Sequence, residues 1–259
     1  MQKKILVLKI GSSTLTRATR QISRGKMEDL ARQILVLRQE YEVVLVSSGA
    51  IATARQFVEL SGGNSIEVKQ ALAAIGQPVL MRMYQEGFSD FGLRTAQCLL
   101  NYRDFDNEKS KRNILNTLKV LLENGYLPVI NENDTVATQE IEFGDNDKLA
   151  AYTAVLLSAG LLLLASDIDG LFSSDPKQHQ DATLVQTVTN LEEVLGLAGE
   201  SNSGPGTGGM KSNLEAARIC TQQGVEMWIL NGQHDDFAVK ALKGEVPFTR
   251  FEVVGPSVL

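Results

Sequence analysis

The chain has 259 residues, 43% hydrophobic and 22% charged, with a formal net charge of −6. That length suits one large α/β domain or two tight lobes, and the acidic balance gives no argument for nucleic acid as a partner. Two cysteines, Cys98 and Cys220, argue against a disulfide framework and for a reducing compartment. His179 and His234 lie far apart, so no zinc-ligand spacing exists and no protein-held metal is expected. The apolar run at residues 5–10 is too short for a signal-peptide core, and no run approaches the ~20 residues that span a bilayer. A cytoplasmic protein without membrane contact is expected.

Short, near-continuous apolar runs recur at 5–10, 43–46, 95–100, 127–130, 161–165 and 225–230. Strands buried on both faces read this way. Between them lie helical patterns. Ser23 can cap a helix in which Met27, Leu30, Ile34, Leu37 and Tyr41 share a face. Ile114, Leu118, Leu121 and Leu122 repeat that spacing before Gly125. Leu149 to Leu156 and Leu214 to Ile219 suggest two more helices, which end near Gly160 and Gly224. Alternation of strands and helices predicts an α/β fold, a mainly parallel sheet with helices on both faces. Residues 137–144 alternate better and read as a hairpin off the main sheet.

In such a sheet ligands bind beyond the carboxyl ends of the strands. Four predicted strands end in small, polar or charged residues: Lys9-Ile-Gly11-Ser-Ser, Ser47-Ser48-Gly49-Ala, Asn131-Glu-Asn-Asp134 and Ser166-Asp167-Ile-Asp169-Gly170. Taken singly, each has a plainer account. Lys9 reads as a snorkelling lysine, Gly11 and Gly49 as turn glycines, and Asp147 as a helix cap. Their recurrence at successive strand ends favours one shared site. The segment 204–211, Gly-Pro-Gly-Thr-Gly-Gly-Met-Lys, suits backbone N–H groups approaching an anion ahead of a helix start. It lacks the preceding strand that a dinucleotide fingerprint requires, and the chain has no P-loop signature.

Together these motifs resemble the glutamate 5-kinases of the amino acid kinase family. The resemblance rests on Lys9-Ile-Gly-Ser-Ser, Ser47-Ser-Gly-Ala-Ile51, Asn131-Glu-Asn-Asp-Thr-Val-Ala137, Gly144-Asp-Asn-Asp147, Ser166-Asp-Ile-Asp-Gly-Leu171 and Gly206-Thr-Gly-Gly-Met210. It implies a three-layer αβα sandwich, a single kinase domain over 1–259, and transfer of a phosphoryl group from ATP, with Mg²⁺, to the side-chain carboxylate of L-glutamate, the first step of proline synthesis. By the family pattern Ser48, Asp134 and Asn146 hold the glutamate. Ser166, Asp167 and the loop Thr207, Gly208, Gly209, Met210 and Lys211 meet the nucleotide. Lys9 meets the phosphoryl group in flight, and Asp147 organises the cations.

The chemistry agrees with that pattern. A carboxylate with a pKa of about 4.3 is already a nucleophile at neutral pH, so no general base is needed. The difficulty is bringing an anion against a polyanion, which calls for lysines, oriented N–H groups and a magnesium ion carried mainly on the ATP phosphates. Asp134 suits the substrate ammonium, and Asn146 is expected to donate to a carboxylate.

The resemblance also implies proline as feedback inhibitor, a glutamyl phosphate reductase as next-step partner, and a homo-oligomer. Acetylglutamate and carbamate kinases share the fold and stand as alternatives, as does a weakly catalytic amino-acid sensor. Two features depart from the pattern. The length leaves no room for the PUA domain that many members carry. The family's second lysine, three residues after the loop methionine, is Asn213 here, with a lysine at 211 instead. Two residues apart on a helix point about 200° apart, so Lys211 is expected to act from an irregular turn, the helix becoming regular only after it.

Overall fold

The structure is a computed structural model describing residues 3–16, 22–137, 146–176, 178–198 and 209–253. Its first half contains β1 (Lys4–Ile10), α1 (Ser12–Leu15), α2 (Arg24–Leu37), β2 (Tyr41–Ser47), α3 (Ala50–Ala54), α4 (Ile66–Ser89) and β3 (Arg94–Leu100). Then follow α5 (Glu108–Glu123), β4 (Tyr126–Glu132), α6 (Asp147–Leu156), β5 (Leu161–Ser166), β6 (Thr187–Val188), α7 (Met210–Gln222), β7 (Glu226–Asn231), α8 (Phe237–Leu242) and β8 (Phe248–Phe251). The eight strands form one sheet in the order β3-β4-β2-β1-β5-β7-β8-β6. From β3 to β7 all pairings are parallel. The strand β8 runs antiparallel to β7, and β6 pairs parallel with β8.

The continuous apolar runs are the signature of this arrangement. Successive strand residues point to opposite faces, and both faces are covered. Leu6, Leu8, Val43 and Leu45 face a core shared with α2, α4 and α8. Val7, Val44 and Val46 face a second core shared with α5, α6 and α7. The result is the three-layer sandwich. Each crossover returns its helix antiparallel to the strands, so the N-termini of α6 and α7 lie at the carboxyl edge of the sheet.

The six apolar runs became β1, β2, β3, β4, β5 and β7. Tyr41 does not extend α2 as its spacing suggested. The helix ends at Leu37 in a turn, and Tyr41 opens β2 opposite Lys4. The longest helix, α4, carries Gly76 and Pro78, two helix-breaking residue types that masked it. The hairpin expected at 137–144 lies, beyond Ala137, outside the described residues. No helix among the described residues is long and apolar enough to cross a membrane.

Candidate active site

Strand β1 is central, flanked by β2 and β5, and carries Lys9 next to its carboxyl end. Lys9 is 6% exposed and forms an ion pair with Asp147 Oδ1, itself 1% exposed. Asp147 is the first residue of α6, with Asn146 as N-cap, so its carboxylate also sits in the favourable field of a helix start. A Cβ at Gly11 would stand 3.9 Å from Lys9 Nζ, which places the ammonium beside the β1–α1 turn. Gly49, at φ +115°, starts α3 in a conformation that favours glycine, and Ser48 N–H donates to Ile10 O at 3.1 Å. The ends of β1 and β2 are therefore stitched together, which brings Ser48 alongside Lys9's strand.

Asn146 Nδ2 donates to Ser47 O and to Asn131 Oδ1, both at 2.7 Å. A backbone carbonyl can only accept, so the orientation of the Asn146 amide is fixed by chemistry. Both of its N–H donors are taken. What Asn146 has left to offer a ligand is its carbonyl oxygen, an acceptor rather than the carboxylate donor expected from sequence. Asn131 is fixed in the same way: its Oδ1 accepts from Glu132 N at 2.9 Å and its Nδ2 donates to Gln77 Oε1 at 2.7 Å.

Asp134 sits in the turn after β4, which is tied back by Asn133 N to Leu100 O at 2.9 Å. Burial away from water pushes its carboxyl up to about 6, from an ordinary value of 3.8. Among the described residues it has no cation partner. An acidic group held this way favours an incoming ammonium. The Asn146 oxygen and the Asp134 carboxylate both suit the same cationic end of a ligand.

On the other side of β1, Ser166 closes β5 and its Oγ lies 3.4 Å from Asp167 Oδ1. Asp169 Oδ1 accepts from Asn231 Nδ2 at 2.9 Å. Gly232 passes so close to α1 that a Cβ there would meet Thr14 Oγ1 at 2.5 Å. Gly209 caps α7, and Met210 and Lys211 form its first turn. The helix is regular from Met210, so the irregular turn expected around Lys211 is absent. Lys211 is exposed, while Asn213 is 2% exposed on the opposite side. The N-terminal turns of α6 and α7 are clasped by Lys148 Nζ and Glu215 Oε2 at 3.2 Å. Thr207 and Gly208 lie outside the described residues. Among those described, no group of three or more His, Cys, Asp or Glu side chains is arranged to hold a metal ion.

Sequence inspection singled out Lys9, Ser48, Asp134, Asn146 and Asp147, which converge at the carboxyl ends of β1, β2 and β4. It gave Ser47 no role of its own and missed Gln77 and Tyr84. A polar residue inside an apolar helix pattern is the one signal that could have raised the last two.

The amino acid kinase family model matches residues 4–231. A glutamate 5-kinase of Thermus thermophilus is 46% identical over 94% of this chain, which spans 66% of that protein's length, just under two thirds. A glutamate 5-kinase of Alkaliphilus oremlandii is 42% identical, with 96% of both chains covered. The UMP kinase of Ureaplasma parvum superposes with a TM-score of 0.67 at 18% identity, covering 97% of this chain and all of its own, a likeness of fold alone. The chain belongs to the amino acid kinase family, and its sequence groups it with that family's glutamate 5-kinases.

Proposed function

We propose that the chain transfers the γ-phosphoryl group of ATP to the side-chain carboxylate of L-glutamate, giving ADP and L-glutamyl 5-phosphate. The observation that carries this is the buried Lys9–Asp147 pair at the central strand end, in a site that also holds the half-buried Asp134 carboxylate. The first is suited to phosphoryl charge and the second to an amino group. Glutamate's ammonium pairs with Asp134 and with the Asn146 oxygen, and the Ser48 hydroxyl meets a substrate carboxylate.

The reacting carboxylate oxygen forms a bond to the γ-phosphorus as the bond to the β–γ bridging oxygen breaks, and ADP leaves with that electron pair. No proton is transferred. Charge on the equatorial phosphoryl oxygens grows toward Lys9, whose own position is held by Asp147. Ser166, Asp167, Thr207, Gly208, Gly209, Met210 and Lys211 meet the nucleotide, with the α7 N-terminus favouring its phosphates. Magnesium would be carried mainly on those phosphates, where it would offset their charge, because it keeps waters and needs few protein ligands. Lys211, exposed in the first turn of α7, supplies the second cation if its stem reaches back over that turn. Proline as feedback ligand, a reductase that consumes the reactive acyl phosphate, and self-association belong to the same proposal.

The test is ADP release with MgATP and, separately, glutamate, N-acetylglutamate or carbamate, with hydroxylamine to trap the acyl phosphate. Glutamate alone should give ADP and a hydroxamate. Equal use of N-acetylglutamate would overturn the proposal, because acetylation removes the charge that Asp134 is placed to meet.

A further inference from the structure

The acceptor side of the site is shaped by α4, a helix to which no role in ligand contact has been given. Gln77 and Tyr84 are seven residues apart on it, two turns, and so share one face. Gln77 Nε2 donates to Gln97 Oε1 on β3 at 3.1 Å, which turns Gln77 Oε1 toward Asn131 Nδ2 at 2.7 Å. Asn131 Oδ1 then receives Asn146 Nδ2 at 2.7 Å. With the Asn146 amide group held by Asn131 and Ser47 O, its oxygen is the group left over for a ligand. The second arm is shorter. Ser47 Oγ donates to Ser48 O at 3.0 Å, so in the 2.6 Å contact between Ser47 Oγ and Tyr84 Oη the tyrosine is the donor. Tyr84 is fully buried, and burial raises its phenol well above the ordinary value, so it keeps that proton.

The helix carrying both arms is itself locked in place. A Cβ at Gly76 would fall 1.8 Å from Ala50 O, so α4 crosses α3 with backbone against backbone directly after the Ser48–Gly49 turn.

We infer that Gln77 and Tyr84 are positioning residues for the acceptor subsite, Gln77 setting the direction of the Asn146 amide and Tyr84 the Ser47–Ser48 backbone. Neither touches the substrate. Both act on groups that do under the glutamate kinase proposal, on which this inference rests. The prediction is selective: recognition of the acceptor weakens, and recognition of the nucleotide on the far side of β1 does not.

The test is steady-state kinetics of the intact protein, wild type first, with glutamate and MgATP varied in turn. If wild type turns over a different acceptor, the proposed substrate fails and the same comparison is made with that acceptor. Gln77→Met removes the acceptor for Asn131 Nδ2 at similar volume. Loss of one buried hydrogen bond should raise acceptor KM about tenfold and leave MgATP KM within about twofold. Gln77→Glu still accepts from Asn131 and should return acceptor KM to within about threefold of wild type. Tyr84→Phe, an independent arm if Gln77→Met does not fold, should raise acceptor KM roughly threefold to tenfold. The inference is overturned if the two KM values rise together, if Gln77→Met or Tyr84→Phe folds with unchanged acceptor KM, or if Gln77→Glu behaves like Gln77→Met.

Discussion

Replacing Asp134 by asparagine should make the ligand-free protein more stable and the enzyme worse. Burial holds the Asp134 carboxyl at about 6 against an ordinary 3.8. The folded state therefore binds this proton more tightly than the unfolded state, and wild-type stability falls as pH rises from 3.8 through 6. Above pH 6 the cost is complete. Below 3.8 both states are protonated and it vanishes. The gap corresponds to about 3 kcal/mol at full strength. Asp134 retains partial contact with water, which reduces this to roughly 1–3 kcal/mol. Asp134→Asn keeps the shape without the charge. It should raise the melting temperature at about pH 8 by roughly 2–10 °C in a chain of this size, with the gain fading toward about pH 4. Loss of a charged partner for the substrate ammonium should raise glutamate KM on the order of 10–100-fold. Thermal melts of both proteins from about pH 4 to about pH 8 without glutamate, with KM measured at the upper end, decide the matter. A variant less stable than wild type at the upper end, or one with unchanged KM, would refute the reasoning.

Wild-type glutamate KM should climb as pH drops below about 6, where Asp134 takes up its proton; a KM that stays flat across that value would contradict this. Lys9→Ala should lower kcat about a thousandfold, the rate equivalent of ~4 kcal/mol for a charge at ~4 Å. It should also destabilise the fold by about 3–5 kcal/mol, because Asp147 is left buried and uncompensated. Adding Asp147→Asn should recover part of the melting temperature and none of the activity. Gly76→Ala forces a methyl group toward Ala50 O and should cost more than the roughly 1–3 kcal/mol of ordinary overpacking, read by chemical denaturation. Lys211→Ala should cut kcat if Lys211 is the second phosphate cation, with Asn213→Lys restoring part of it; an unchanged kcat makes Lys211 a surface residue.

Six of the eight described strands were legible because parallel strands covered on both faces leave uninterrupted apolar runs, and the polar residues that follow those runs, Lys9 and Ser166 among them, could be placed near the carboxyl edge of the sheet. The two strands that escaped notice differ in kind. The strand β6 is two residues long, and β8 carries Thr249 and Arg250 between phenylalanines at a sheet margin. Helix α4 hid behind Gly76 and Pro78, since the need for a glycine there comes from Ala50, far earlier in the chain, and no local pattern shows it. The opposed faces of Lys211 and Asn213 followed from helix geometry, but the start of α7 did not. The direction of the Asn146 amide was out of reach for a similar reason: it is dictated by the Ser47 carbonyl, 99 residues away. Residue types at strand ends can be read from sequence, but the direction of their hydrogen bonds cannot, because direction is a tertiary property.

The order of strands in space has a consequence for how the chain is made. On a ribosome, β1 can pair with β2 as soon as Ser47 has emerged, but its other edge waits for β5, which begins at Leu161. At synthesis rates of about 5–20 residues per second that interval is roughly 6–25 s. Through that time a strand buried along its whole inner length in the finished fold presents an open edge of unpaired N–H and C=O groups, a template for wrong pairing. Lys9 waits for Asp147 through most of that interval, because α6 begins only shortly before β5. The buried Lys9–Asp147 pair is thus assembled late, close to the step that closes the sheet, and the open β1 edge precedes it.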